Sequence, residues 1–106
     1  MKKILFILIF IFTSNNILAD DKITLGLNVY NNKAMCGTCH TLQNAGSVGE
    51  IGPNLDMLKP QIPQIISAVT NGIGVMPPWG GILTPEEIKL LHIVYLTVQT
   101  NDYEII

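Results

Sequence analysis

The sequence predicts a small all-α domain of three to four helices. With 106 residues, 48% of them apolar and 13% charged, the chain has room for one hydrophobic core, which excludes multidomain enzymes. Apolar residues recur at helical spacing in the last third of the chain. Residues 25–34 also look helical, because they lack the alternating β-branched pattern that is typical of a strand.

The N-terminal segment has the three parts of a secretory signal peptide. A basic head, Met1–Lys3, precedes an unbroken apolar run of nine residues, Ile4–Phe12, and a more polar stretch that closes at Ala19. The alternative is a transmembrane anchor, but the apolar run is well short of the roughly 20 residues that cross a bilayer. We therefore expect residues 1–19 to be cleaved on export and residues 20–106 to form the domain.

The exported chain is acidic. Residues 20–106 contain four lysines, no arginine and eight carboxylates, which gives a formal net charge of −4. Without a basic cluster, the sequence offers no surface that would bind nucleic acid or an anionic membrane. A protein partner steered by charge is expected to present a basic docking surface.

The first helix is expected to begin between Asp21 and Thr24 and to end near Cys36. Two inner faces are compatible with its spacing, and the sequence leaves the choice between them open. One face comprises Leu25, Val29 and Asn32. The other comprises Leu27, Tyr30 and Ala34.

Glycine and proline divide the middle of the chain. Residues 44–54 contain three glycines and a proline and are expected to form a loop. Residues 59–63 open a helix that continues through Val69, and Gly72 is suited to end it.

The last helix has the clearest boundary signals. Thr84 is the expected N-cap, Pro85 the first helical residue, and Glu87 completes a capping box with Thr84. Apolar residues at helical spacing predict one buried face. They are Ile88, Leu91, Val94, Tyr95 and Val98.

The motif Cys36-Gly37-Thr38-Cys39-His40 carries the chemistry of the chain. In C-x-x-C-H, two thiols add to the vinyl groups of haem and the next histidine ligates the iron. We therefore predict one covalent haem c, with thioethers at Cys36 and Cys39 and His40 as an axial iron ligand. A disulfide between cysteines three positions apart would close a tiny loop and restrain the unfolded chain little.

Two other uses of the cysteines fit the sequence less well. A thioredoxin-like thiol pair would suit Cys-Gly-Thr-Cys, but that fold needs strands around the motif. A zinc site is weak, since the chain has only two cysteines and two histidines, and His92 is far from the motif in sequence.

Residues 20–106 resemble a class I c-type cytochrome along nearly their whole length. The features that carry the resemblance are residues 36–40, the segment Gly52-Pro53-Asn54-Leu55, and Met76-Pro77-Pro78 followed by an amphipathic helix. Residues 39–60 further resemble the small cytochromes associated with sulfite dehydrogenases. The resemblance implies a class I cytochrome c fold around one haem, with the first helix crossing the last. It also implies that the Pro53 carbonyl accepts a hydrogen bond from the haem histidine.

The resemblance implies a methionine as the second axial ligand, and Met76 is the best candidate. Gly72 and Gly74 allow a close approach of its loop, and Pro77 and Pro78 stiffen it. The other methionines fit less well. Met1 leaves with the signal peptide, Met35 adjoins a haem cysteine, and Met57 lies in an apolar context that suits core packing.

His92 is the rival for the sixth position, and would give a bis-histidine haem of lower potential. It lies in the last helix, where a partly buried histidine that is hydrogen-bonded locally is the ordinary outcome. Trp79 and Tyr95 are expected to pack near the haem pocket rather than to relay electrons, and Trp79 is expected to contact the haem.

These features predict a periplasmic monohaem electron carrier that is not itself an enzyme. The alternative within electron transfer is a haem-bearing subunit of a dehydrogenase, such as a sulfite dehydrogenase. A haem enzyme or gas sensor would need an open sixth position and distal acid, arginine or histidine residues. A thiol oxidoreductase would need free cysteines in the mature protein.

Overall fold

The structure is a computed structural model, and it describes residues 17–100. The helices are α1 (Ile17–Asn28), α2 (Leu55–Leu58), α3 (Ile62–Asn71) and α4 (Pro85–Thr100). A two-stranded antiparallel hairpin pairs β1 (Thr41–Leu42) with β2 (Ser47–Val48). The all-α prediction is confirmed, since this hairpin is the one sheet in the described range.

Helices α1 and α4 pack directly against each other, as the family resemblance implies. Gly26 lies at their contact, where a Cβ would come within 2.4 Å of Val94 Cγ2 and 2.9 Å of the Leu90 carbonyl oxygen. The two backbones approach this closely because residue 26 has no side chain.

Helix α1 begins earlier than the sequence suggested. The chain is already helical at Ile17, the first described residue, ahead of the expected start between Asp21 and Thr24, because Ile17–Ala19 are compatible with a helix and include no helix-breaking residue. The expected cleavage position at Ala19 therefore lies inside α1. The apolar run Ile4–Phe12 lies outside the described residues, and within residues 17–100 no helix is long and apolar enough to cross a membrane.

The buried face of the first helix combines the two alternatives. A π-helical turn, Val29–Lys33, follows α1, and the Ala34 N–H donates to the Val29 carbonyl at 2.8 Å. The wider turn changes the helical phase, so that Val29, Tyr30 and Ala34 are all buried. Leu25 and Asn32, expected on one inner face, are exposed.

Helix α4 agrees with the sequence in both its cap and its buried face. The Thr84 N–H donates to Glu87 Oε2 at 2.9 Å, and the Glu87 N–H donates to Thr84 Oγ1 at 3.1 Å. This is the predicted capping box. All five predicted core residues of the helix are at most 7% exposed, and Val94 is fully buried.

Helix α3 ends at Asn71, with Gly72 at its C-terminal cap as predicted. The chain then forms a loop through Met76 and returns to α3, where the Trp79 N–H donates to the Val69 carbonyl at 2.8 Å. Trp79 and Met76 are partly buried against the core. Tyr95 is part of the core, so both aromatic side chains take part in packing, while the expected contact of Trp79 with the haem stays a prediction.

The hairpin and α2 were not predicted. Strands of two residues carry no periodic signal, and β1 is held by long-range packing that leaves Leu42 fully inaccessible. Helix α2 is a single turn, capped by the Asn54 side chain, which accepts from the N–H groups of Asp56 and Met57.

Candidate haem-binding site

The C-x-x-C-H motif is folded into one tight turn. Cys36–Thr38 form a 3-10 turn that begins after Met35, whose left-handed backbone has φ 49°. The N–H groups of Cys39 and His40 both donate to the Cys36 carbonyl, at 3.1 and 3.0 Å. The two cysteines are free and partly exposed, so the motif presents both thiols and one imidazole from five consecutive residues.

The electrostatics of Cys36 do not suit thiol redox chemistry. Burial, with a smaller contribution from the neighbouring Cys39, raises the pKa of the Cys36 thiol to about 11. Reactive thiols of disulfide oxidoreductases have lowered pKa values, because the thiolate is the nucleophile. Helical turns rather than a strand precede the motif, and the strand that follows it, β1, has only two residues, whereas a thioredoxin-like site needs strands on both sides.

His40 has the hydrogen bond that the family resemblance implies. Its Nδ1 lies 2.7 Å from the Pro53 carbonyl oxygen. A carbonyl can only accept, so Nδ1 carries the proton and Nε2 keeps its lone pair. Within residues 17–100, Nε2 makes no hydrogen bond of its own. The imidazole is therefore held in the tautomer that can ligate a metal through Nε2.

Gly52 restricts the position of the His40 ring at the same edge, beside Nδ1 and Cε1. The Gly52 N–H donates to the Cys39 carbonyl at 2.7 Å, and an added Cβ would lie 2.7 Å from His40 Cε1. The ring therefore contacts the backbone at residue 52 with no space for a side chain. The segment Gly52-Pro53 provides both a steric wall and a hydrogen-bond acceptor for one imidazole.

Residues 47–53 wrap around the motif, a role that the sequence indicated only as a loop. Gly37 packs against Ser47, whose Cβ would be 2.6 Å from a Cβ at residue 37. Thr41 Oγ1 donates to the Gly49 carbonyl at 2.8 Å. These contacts attach the segment to the backbone on both sides of Cys39.

Ser47 and Tyr30 form a buried hydrogen bond that sequence reasoning missed. Their hydroxyl oxygens are 2.9 Å apart, and Ser47 Oγ also accepts from the Leu42 N–H at 3.0 Å. Burial raises the pKa of Tyr30, so its hydroxyl stays protonated and can donate. A serine within an apolar run would have indicated a buried hydroxyl. Ser47 instead lies between glycines, which indicate an exposed loop.

Met76 lies on a loop that closes on itself. The Met76 N–H donates to the Ile73 carbonyl at 2.9 Å, and the Ile73 N–H donates back at 3.2 Å. Gly72 has φ 73°, a left-handed conformation that favours glycine, and its Cα faces the Met76 carbonyl. Cys36 and Met76 pack against the same core cluster.

The other candidates for the second ligand are placed differently. Met35 is 59% exposed, and Met57, expected in the core, is 80% exposed. The expectation for Met57 was wrong because α2 is one turn long and packs the partly buried Leu55 against the core, and Leu55 lies two residues earlier on a different side. His92 is partly buried, but its Nδ1 lacks the expected local hydrogen bond, because the backbone groups around it are paired within α4.

The residues present fit a covalently attached haem. The chain supplies two unpaired thiols, an imidazole in the ligating tautomer and a thioether on a constrained loop. Ile51, Ile73 and Val75, on the same segments, expose 68% or more of their surface and suit contact with an apolar macrocycle. Among the described residues, no group of three or more histidine, cysteine or acidic side chains is placed to hold a metal ion.

Comparison with known proteins places these features in a family. Residues 21–92 match the family model described as "Cytochrome C oxidase, cbb3-type, subunit III". The crystal structure of the c-type cytochrome SorU from Sinorhizobium meliloti is 47% identical in sequence and superposes with a TM-score of 0.64. The match covers 76% of this chain and 91% of SorU. No curated protein matches the chain.

Proposed function

The chain belongs to the c-type cytochromes, and from this membership we propose that it is a periplasmic monohaem electron carrier with His40 and Met76 as iron ligands. Its cofactor is haem c with iron, and its function is electron transfer. The observation that carries the assignment of His40 is its hydrogen bond to Pro53, which leaves Nε2 free to ligate.

The proposed attachment uses the sulfur atoms of Cys36 and Cys39 as thioethers. When bound, the haem iron supplies a one-electron couple between the ferrous and ferric states. The 3-10 turn fixes the spacing of the two sulfur atoms and of the imidazole. Pro53 holds the ring orientation of His40 and increases the basicity of Nε2, since its carbonyl accepts the Nδ1 proton.

The remaining residues would set the redox potential. A thioether ligand at Met76 favours the reduced state and raises the potential. Apolar side chains such as Ile51 and Val75 would exclude water, which disfavours the additional positive charge of the oxidised state. Trp79, packed against the core beside the Met76 loop, would limit the access of water to that side.

The charge of the exported chain supports a basic redox partner. Lys33 is engaged by Glu87, whereas Asp21, Glu50 and Glu86 are exposed. Docking on a basic surface would be steered by these carboxylates and weakened by salt. We therefore expect the rate of reduction by the partner to fall as the ionic strength rises, and a flat salt response would contradict this part of the proposal.

Visible spectroscopy of matched variants tests the ligand assignment. The full chain would be expressed with a c-type maturation system, beside Met76→Ala and the control Met57→Ala, which truncates an exposed methionine. We expect covalent low-spin haem with a sulfur-to-iron charge-transfer band in the wild type and in Met57→Ala, and loss of that band in Met76→Ala.

Other spectra would point to other assignments. Low-spin haem without the band would make His92 the ligand and predict a low potential. If no covalent haem forms while a control cytochrome matures, the cysteines belong to thiol chemistry and the proposal fails.

A haem-bearing subunit of a dehydrogenase is the second candidate, and the resemblance of residues 39–60 to cytochromes associated with sulfite dehydrogenases favours it. In either role the chain carries electrons and leaves substrate chemistry to its partner. Stable co-purification of a larger dehydrogenase would support a subunit, and recovery of the cytochrome alone at moderate salt would support a shuttle.

A further inference from the structure

The position of the Pro53 carbonyl depends on α2, which is too short to be stable alone. Pro53 directly precedes Asn54, the N-cap of this four-residue helix. Isolated helices of one turn are unstable because nucleation costs more than the few hydrogen bonds return. Lys59, which ends α2, adopts a left-handed backbone with φ 49°, which costs further free energy. External contacts must therefore hold α2 in place.

Asp56 supplies two of these contacts from one carboxylate. Its Oδ2 accepts from the Gln43 N–H at 2.9 Å, and its Oδ1 accepts from Gln99 Nε2 at 2.8 Å. Gln43 lies three residues after His40, and Gln99 lies in the last turn of α4. The carboxylate thus attaches α2 both to the segment after the motif and to the C-terminal helix.

We propose that Asp56 is a positioning residue for His40, because its carboxylate anchors α2 and so holds the Pro53 carbonyl against the His40 ring. The inference rests on the proposed role of His40 as an iron ligand. Hydrogen bonds to a charged acceptor are stronger than neutral ones, so the anchor resists opening of the segment that carries Pro53. The carboxylate of Asp56 accepts from Gln43 and Gln99 and not from the imidazole, so it acts through α2.

Asp56→Asn tests the anchor with little change of shape. The asparagine keeps one oxygen to accept from the Gln43 N–H, but its NH2 group can pair only with the oxygen of a rotated Gln99 amide, and neither hydrogen bond then has a charged acceptor. We expect exchange of the His40 Nδ1 proton, followed by proton NMR in the reduced diamagnetic state, to accelerate by about tenfold or more. The midpoint potential is expected to rise, because the imidazole is a weaker donor when its Nδ1–H bond opens.

A second variant reverses the polarity of one hydrogen bond and restores the anchor. In Asp56→Asn combined with Gln99→Glu, the asparagine oxygen accepts from the Gln43 N–H and its NH2 donates to the new carboxylate. The net charge is also that of the wild type. We expect exchange and potential to return toward the wild-type values.

Two controls separate positioning from charge and from stability. Glu50→Gln removes one exposed carboxylate near the motif, and Thr84→Ala removes the capping box of α4 without touching α2. Both are expected to leave the exchange of the His40 proton within about twofold of the wild type, because neither opens the segment carrying Pro53.

The possible outcomes are distinct. Equal acceleration in Asp56→Asn and in either control overturns the proposal, as does an unchanged rate in Asp56→Asn. A double variant that exchanges as fast as the single variant, or that fails to mature with haem, also overturns it. If His40→Ala keeps the haem spectrum of the wild type, the proposed function itself is refuted. If His40 is shown to ligate the iron but Asp56→Asn leaves the exchange rate unchanged, only the anchor is refuted.

Discussion

Replacement of Gly52 by alanine should displace His40, the proposed iron ligand. The new methyl group would lie 2.7 Å from His40 Cε1 and 3.0 Å from Nδ1. Both separations are shorter than ordinary van der Waals contacts, so either the ring or the segment carrying Pro53 must move. Any such movement lengthens the 2.7 Å hydrogen bond from His40 Nδ1 to the Pro53 carbonyl.

The expected cost combines overpacking with the loss of this hydrogen bond. Inserting a methyl group into a closely packed site costs about 1 to 3 kcal/mol. A typical intramolecular hydrogen bond contributes about 1 kcal/mol net. The variant should therefore lose about 2 to 4 kcal/mol of the free energy of unfolding relative to the wild type, if the two contributions add.

Guanidinium unfolding of the haem-loaded protein, followed by absorbance and by far-UV circular dichroism, measures this loss. Gly46→Ala is a matched control, because its Cβ meets nothing within 4 Å. Its only expected cost is the strain of an alanine backbone at φ 78°. We expect it to cost about 1 kcal/mol and to leave the His40 spectrum unchanged. A Gly52→Ala protein as stable as Gly46→Ala, with wild-type spectrum and potential, would refute the reasoning.

Three further changes test the packing and the electrostatics. Gly26→Ala should lower the free energy of unfolding by about 1 to 2 kcal/mol, since overpacking against α4 exceeds the gain in helix propensity; denaturant unfolding measures this. Tyr30→Phe removes the hydroxyl partner of Ser47 and should cost about 1 kcal/mol in the same assay, with no change in the haem spectrum. The hydrogen bond from Lys33, with that of the Thr84 backbone, holds the pKa of Glu87 below its ordinary value. The contribution of the ionised Glu87 to stability is therefore present above the ordinary glutamate pKa and is lost as the pH falls through the folded-state pKa. In Glu87→Gln, the free energy of unfolding should therefore depend less on pH below about pH 4.3.

Local sequence signals predicted the parts of the fold that local chemistry decides. The capping box of α4 needs only Thr84 and Glu87 at the right spacing, and the buried face of that helix follows from its apolar period. The stop at Gly72 likewise depends on one residue. Elsewhere the period was ambiguous, and the π-helical turn after α1 mixed the two expected faces.

The sequence by itself determined the cofactor, because the two thiols and the imidazole of the C-x-x-C-H motif lie within five consecutive residues. Only the tertiary structure decided how that motif is supported. The Tyr30 and Ser47 pair, the exposure of Met57, the unpartnered Nδ1 of His92 and the two contacts of Asp56 depend on residues far apart in the chain. Such contacts leave no periodic signal, because their geometry exists only after the helices have packed.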